Sequence, residues 1–222
     1  VYNRALMASM IAAHGNEKAT KWARGLVNNL ARRPQGNDRA QVKAIFEGQC
    51  DIAIINNYYF GKLKYSDDPQ QRAWANELSL IFPNQGTNDR GAHINISGGG
   101  VAKYSKSKVN AIKLLEFLSE KEAQKLYGTI NFEYPVNPAI SPTKELLSWG
   151  TFREDNLQII KIAELAPEGL INIHSNGAPR SFKVFDIGML LTIKAAAKRI
   201  KIRYLSFCLK NFDSDDRSDP RK

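Results

Sequence analysis

The 222-residue chain is predicted to fold as an α/β protein, because short apolar strands alternate with helical segments along it. The first strand is predicted at 51–55, where small and β-branched residues suit a strand buried on both faces, as in a parallel sheet. Further buried strands are predicted at 78–82 and 93–97. Amphipathic spacing of apolar residues predicts helices before, between and after these strands.

Helical spacing predicts two N-terminal helices, over 3–14 and 17–31, with Gly15 as the residue that ends the first. Asp38 suits the capping position of a third helix. That helix is expected to turn Val42, Ile45 and Phe46 inward. Later helices are predicted at 109–118, with Ala111, Leu114, Leu115 and Leu118 inward, and at 121–127, 143–149 and 157–165.

The net charge of +10 is uneven, since eleven basic residues stand against five acidic ones from Pro179 onward. Basic charge alone supports weak, salt-sensitive binding to any polyanion and specifies no partner. A nucleic-acid-binding module is therefore a less favoured alternative, and no nucleic-acid partner is expected. Apolar and basic residues alternate over 190–207, which favours a surface helix followed by a disordered polar tail. A membrane-surface helix and a stretch that lies outside the natural domain are the alternatives. No apolar run approaches the roughly 20 residues that span a bilayer.

The chain shows no catalytic constellation, and no enzymatic activity is predicted. Ser97, Ser105 and Ser107 lack a His and Asp arrangement that would activate a nucleophile. The glycine triplet at 98–100 lacks the Lys-Ser/Thr of a phosphate-binding loop. Two cysteines and three histidines show no zinc-site spacing. Cys50 is expected to be a small buried residue, and a disulfide with Cys208 stays open.

The candidate binding residues follow the first predicted strand, in the order Asn56, Asn57, Tyr58 and Tyr59. Ligands of open α/β sheets bind beyond the carboxyl ends of strands. Two adjacent tyrosines on a regular helix diverge by about 100°, whereas at a strand-to-helix turn both rings can converge. A phenol has a pKa of about 10, and a trivalent cation favours its deprotonated form, which is a hard oxygen ligand. Ferric iron is one interpretation of the pair, and aromatic packing is the other.

Several collinear segments carry a family resemblance: VYNRALMASMIAAHG, PQGNDRAQVKAIFEGQCDIAIINNYYFG, IFPNQGTNDRGAHINISGGGV, NFEYPVNP and SWGTF. Over about 1–160 the chain resembles the C-terminal two-thirds of periplasmic ferric-iron-binding proteins of ABC uptake systems. The resemblance implies a type 2 periplasmic-binding-protein fold with one complete lobe at 1–95. Residues 96–188 would then be the hinge return and the incomplete helical part of the other lobe, and 189–222 a basic tail outside the family pattern.

The same resemblance implies the roles of individual residues. Tyr58 and Tyr59 match the two phenolate ligands of ferric iron, and Tyr2 matches a third tyrosine found in a subgroup. Asn56 matches a position that can bind an anion, such as carbonate, together with the iron. Arg39, in a family-like segment, is a further candidate for anion binding. A tyrosine, a histidine and in some members a glutamate of the other lobe would lie before Val1.

The function implied is that of a monomeric substrate-binding protein, which captures ferric iron in the periplasm and delivers it to an ABC permease in the inner membrane. The chain is expected to be a fragment, with a signal peptide in the part that precedes it. A binding protein of the same fold for an oxyanion or a small organic ion is the alternative. Such a site would rely on helix N-termini and Ser, Thr or Arg donors without needing paired phenols.

Overall fold

A computed structural model describes residues 2–33, 35–175 and 190–194, with the backbone alone at residues 2, 170, 172–175 and 190–194. The strands are β1 (Ile52–Ile55), β2 (Leu78–Ile81) and β3 (Leu190–Lys194). The helices are α1 (Tyr2–Asn28), α2 (Asp38–Phe46), α3 (Asn57–Lys64), α4 (Pro69–Asn76), α5 (Lys108–Leu118), α6 (Lys121–Leu126), α7 (Lys144–Ser148) and α8 (Ile159–Ser175), with a π-helical turn at Tyr127–Asn131.

The three described strands form one sheet in the order β1–β3–β2. Because β1 and β2 are both antiparallel to β3, they run parallel to each other. Leu190 pairs with Ile55 and Leu191 with Ile81. The prediction of a surface helix from residue 190 is therefore wrong for β3. This apolar segment is instead the central strand of the sheet, between β1 and β2. The rest of the predicted tail, from 195 onward, lies outside the described residues.

The main hydrophobic core lies between the sheet and helices α2 and α3. Its buried side chains include Val42, Ile45, Ala53, Ile55, Phe60, Leu63, Phe132, Leu146 and Trp149. The last three come from 132–149, so this segment shares a core with β1, α2 and α3. Full burial of each large apolar side chain contributes about 1.5–3 kcal/mol. The division of the chain near residue 95 stays a prediction. Cys50 is also buried, and the partner in its disulfide lies outside the described residues.

A second cluster joins the two longest described helices, α1 and α8. Met7, Ile11, Ala19 and Ala23 of α1 are buried there, with Leu165 of α8 packed against them. The predicted break at Gly15 is confirmed, because its φ of 78° and ψ of 162° interrupt the helix. None of the helices in the described part of the chain is long and apolar enough to cross a membrane.

Two predictions of buried elements are wrong, one in its strand and one in its burial. Residues 93–97 form no strand, and the nearest ladder contact is an isolated bridge from Ala92 to Glu154. A strand needs a hydrogen-bonding neighbour, and in the described chain this segment has none beyond that bridge. Helix α5 forms as predicted, but none of its residues is buried and Leu114 is 56% exposed. Phe46 of α2, also predicted to face inward, is 37% exposed.

The close approach of α3 to Phe132 gives a test of this packing. A Cβ added to Gly61 would overlap the Phe132 ring, so we expect Gly61→Ala to lower the free energy of unfolding by about 1–3 kcal/mol. The matched control is Gly25→Ala in α1, where a Cβ meets nothing within 4 Å and the gain in helix propensity is about 0.5–1 kcal/mol. Urea denaturation measures both. Equal effects of the two variants would contradict the packing.

Candidate functional site

The candidate site begins where β1 ends and α3 starts. Asn56 is extended, with φ −73° and ψ 131°, and Asn57 is the first helical residue. Tyr58 and Tyr59 therefore lie in the first turn of α3. Their ring centroids are 4.2 Å apart and their planes are inclined by 31°. The two rings lie close together although both residues are helical, so no change of backbone conformation between them is involved, and both side chains are half-buried.

A buried carboxylate holds this junction from α2. Asp38 is 3% exposed, and its Oδ1 accepts hydrogen bonds from Asn56 N at 2.8 Å and from Asn56 Nδ2 at 3.3 Å. The prediction that Asp38 caps α2 is wrong. Asn37 is the N-cap, because its backbone is extended and its Oδ1 accepts from Ala40 N at 3.2 Å. Asp38 faces the junction instead.

Two cationic side chains flank the tyrosine rings. The guanidinium carbon of Arg39 lies 5.6 Å from the Tyr59 ring centroid, and Lys62 Nζ lies 5.1 Å from that of Tyr58. Each such contact contributes about 0.5–1 kcal/mol where it is exposed. Arg39 Nε is buried and has no hydrogen-bond partner. Lys62 was not a predicted site residue, although it stands four positions after Tyr58, the spacing that brings side chains together on a helix.

Of the other predicted site residues, Asn56 is described in full and Tyr2 only by its backbone. Asn56 lies at the junction and is 3% exposed. Tyr2 is the first residue of α1, and its side chain lies outside the described atoms.

Within the described residues, no group of three or more His, Cys, Asp or Glu side chains could hold a metal. Burial raises the pKa of Tyr134 to about 12, so that phenol stays protonated and is a poor oxygen ligand.

The far end of α3 is held by Glu145 of α7. Its carboxylate accepts hydrogen bonds from Lys64 Nζ at 2.6 Å, Tyr65 Oη at 2.6 Å and Trp149 Nε1 at 2.8 Å. Burial alone would raise the pKa of Glu145. The hydrogen bonds from these three side chains outweigh burial and lower the pKa below its usual range. Helix α3 is thus fixed at its first turn through Asn56 and at its last turn through Glu145.

The geometry supplies two phenol oxygens from neighbouring residues, with positive charge beside both rings. Deprotonated phenols are hard, anionic oxygen donors, which suit a small, highly charged cation. The cations Arg39 and Lys62 complement the negative charge that such ligands bring.

Comparison with known proteins extends this description. No protein-family model matches the chain. It is 42% identical over 167 residues to iron uptake protein A1 of Synechocystis. The aligned region covers 75% of this chain and 46% of that protein. The chain therefore spans about half the length of the relatives it matches.

Solved structures give the same result. The ferric binding protein from Campylobacter jejuni superposes with a TM-score of 0.75 at 40% identity, over 78% of this chain and 54% of that one. The Trichodesmium IdiA/FutA protein, solved with iron and citrate, gives a TM-score of 0.74 at 42% identity, over 79% and 55%. The fold is thus that of a type 2 periplasmic binding protein. Over about three quarters of its length, the chain is homologous to iron uptake and ferric iron-binding proteins.

His93 gives a pH-dependent test of the described structure. Its ring is 3% exposed, and burial, reinforced by the nearby charge of Arg90, lowers its pKa from 6.5 to about 4. Below pH 6.5 the unfolded chain binds a proton at His93 that the folded chain does not, so stability is lost as the pH falls towards 4. Between pH 7 and pH 5 the loss from this residue should be about 2 kcal/mol.

The measurement is the free energy of unfolding at both pH values, for the parent chain and for His93→Gln. We expect the glutamine variant to lose about 2 kcal/mol less than the parent between them. His14→Gln is the control, because His14 is exposed and its removal should leave most of the pH dependence in place. An identical pH dependence in the parent and His93→Gln would show that His93 is not buried as described.

Proposed function

We propose that this chain binds ferric iron through the phenolates of Tyr58 and Tyr59, as one complete lobe and part of the other lobe of a substrate-binding protein for iron uptake. The observation that carries the proposal is the convergence of the two rings, 4.2 Å apart, at the carboxyl end of β1. The names of its relatives support it, since these are iron uptake and ferric iron-binding proteins.

The ligand set from this chain is partial. Hard cations in proteins take about six oxygen ligands, and the described tyrosine pair supplies two. We propose Tyr2 as a third phenolate. The remaining positions are left for groups outside the chain and for a bound anion. Capture would end when a second lobe closes over the metal, as in two-lobed binding proteins generally.

An anion is proposed to bind beside the iron, near Asn56 and Arg39. Arg39 Nε is a buried donor without a hydrogen-bond partner, and its guanidinium already lies against the Tyr59 ring. A guanidinium matches the planar, bidentate geometry of a carboxylate or carbonate. The iron and citrate bound in the Trichodesmium protein are consistent with an anion that accompanies the metal.

The biological role that follows is transport. We propose that the complete protein acts in the periplasm as a monomer and delivers iron to an ABC permease in the inner membrane, without catalysing a reaction. The support is the binding-protein fold and the homology to iron uptake proteins, together with a site that carries ligands in place of catalytic groups.

The direct test is titration of the full chain with ferric citrate. We expect a phenolate-to-iron charge-transfer band in the visible range. Tyr58→Phe with Tyr59→Phe should remove most of the band and weaken ferric binding by more than about 100-fold, because the variant removes two oxygen ligands and keeps the rings. Adding Tyr2→Phe should abolish the band that remains. Absorbance spectroscopy and competition with a chelator measure the two effects.

The control is a second double variant, Tyr104→Phe with Tyr127→Phe, which removes two phenols away from the β1–α3 junction. It should keep both the band and the affinity of the parent. A folded parent chain without a visible band, or a band of parental intensity in Tyr58→Phe with Tyr59→Phe, would overturn the proposed function.

A further inference from the structure

We infer that Asp38 is a positioning residue for the tyrosine pair, acting through Asn56 without touching the metal. The inference rests on the proposed function, since it assigns a role toward the same site. Asp38 lies 18 residues before Asn56, at the start of α2, whereas Asn56 lies between β1 and α3. Its carboxylate nevertheless makes the two bonds, 2.8 Å and 3.3 Å long, that join α2 to the junction.

These two bonds fix both parts of Asn56. The shorter one holds the backbone N–H directly after the last residue of β1, and the longer one holds the side-chain amide. An Asn at an N-cap usually bonds its own helix, but Asn56 makes no such bond to α3. The direction in which α3 leaves the strand is therefore set by Asp38 in place of the usual cap.

The orientation of Asn56 passes directly to the tyrosines. Tyr59 N donates to Asn56 O at 3.1 Å and closes the first turn of α3. Once the Asn56 peptide is fixed, the Cα–Cβ directions of Tyr58 and Tyr59 are fixed with it. The neighbouring Arg39 lies over the Tyr59 ring, so the start of α2 places both the backbone of the pair and one of its cations.

A carboxylate suits this role better than a neutral acceptor. Hydrogen bonds to an ionised group are roughly twice as strong as those between neutral groups, and Asp38 is almost fully buried, where a lost partner leaves a polar group unsatisfied. Removing the carboxylate would leave the Asn56 N–H without this acceptor. An amide in its place keeps an oxygen in position but weakens the bonds.

The test compares Asp38→Ala and Asp38→Asn with a matched control, Gln124→Ala, in the full chain. Gln124 is also buried, at 6% exposure. Its Oε1 accepts from Val136 N at 2.8 Å and its Nε2 donates to Leu118 O at 2.7 Å. With ferric citrate as the probe, Asp38→Ala should shift the maximum of the charge-transfer band and weaken ferric binding by about 10- to 100-fold. Asp38→Asn should be intermediate, and Gln124→Ala should lose stability while keeping the parental band and affinity.

A second readout needs no iron. In the unliganded chain, amide hydrogen exchange at Asn56 and Tyr59 should rise by about tenfold or more in Asp38→Ala and by about threefold in Asp38→Asn. Exchange at Tyr65, at the Glu145 end of α3, should stay at the parental rate. If Asp38→Ala does not fold, the positioning role is tested with Asp38→Asn by the same two measurements, ferric binding and hydrogen exchange.

The outcomes separate the two proposals. A parent chain without a ferric band overturns the proposed function, and hydrogen exchange then decides on Asp38 alone. Parental exchange at Asn56 and Tyr59 in the Asp38 variants overturns the positioning role. A band position and a ferric affinity in the Asp38 variants equal to those of the parent also overturn the positioning role. A Gln124→Ala variant that shifts the band as far as Asp38→Ala overturns it too.

Discussion

The candidate site depends on one constraint, the change of the backbone from strand to helix at a single residue, Asn56. Along a strand successive side chains alternate between opposite faces, and along a helix they are about 100° apart. The junction places both tyrosines in the first turn of α3, just beyond the end of β1. The polar groups of Asn56 have a buried partner, Asp38, at the start of α2.

The core explains why the junction is rigid. Ala53 and Ile55 of β1 are fully buried, and Phe60 and Leu63 anchor the inner face of α3. These side chains belong to one buried cluster with residues far away in sequence, including the group at 132–149. The site therefore rests on long-range packing, and its geometry is a property of the whole described body more than of the NNYY segment.

Much of the fold follows from local sequence pattern. Three features are local and are found where the sequence predicts them. The break at Gly15 follows from the backbone freedom of glycine, and β1 follows from β-branched residues. The tyrosine pair follows the end of the same apolar run. The predictions that failed depend on which elements pack beside a segment. Residues 93–97 and α5 have the composition of buried elements, but burial and strand pairing depend on what lies beside them, and no local pattern contains that information.

The site shows the same limit. The positions of Tyr58 and Tyr59 follow from sequence, whereas the bond from Asp38 to Asn56 joins residues 18 apart through the fold. Asp38 at a helix start has the appearance of a cap, and the adjacent Asn37 takes that role. Lys62 could have been found from its spacing to Tyr58. The insertion of β3 between β1 and β2 depends on residues more than 100 positions away, so spacing alone does not reveal it.

The anchoring of α3 by Glu145 has a mechanical consequence. The helix has eight residues, so it is about 12 Å long, and its last turn is tied to α7 while its first turn carries the two tyrosines. Its first turn is held as well, because Asp38 accepts two hydrogen bonds from Asn56. A tilt of about 5° about the Glu145 carboxylate would move the first turn by about 1 Å, given the rise of a helix. Such a tilt would lengthen the bonds between Asp38 and Asn56, so a force on α7 displaces the tyrosine rings only if that second tie gives way.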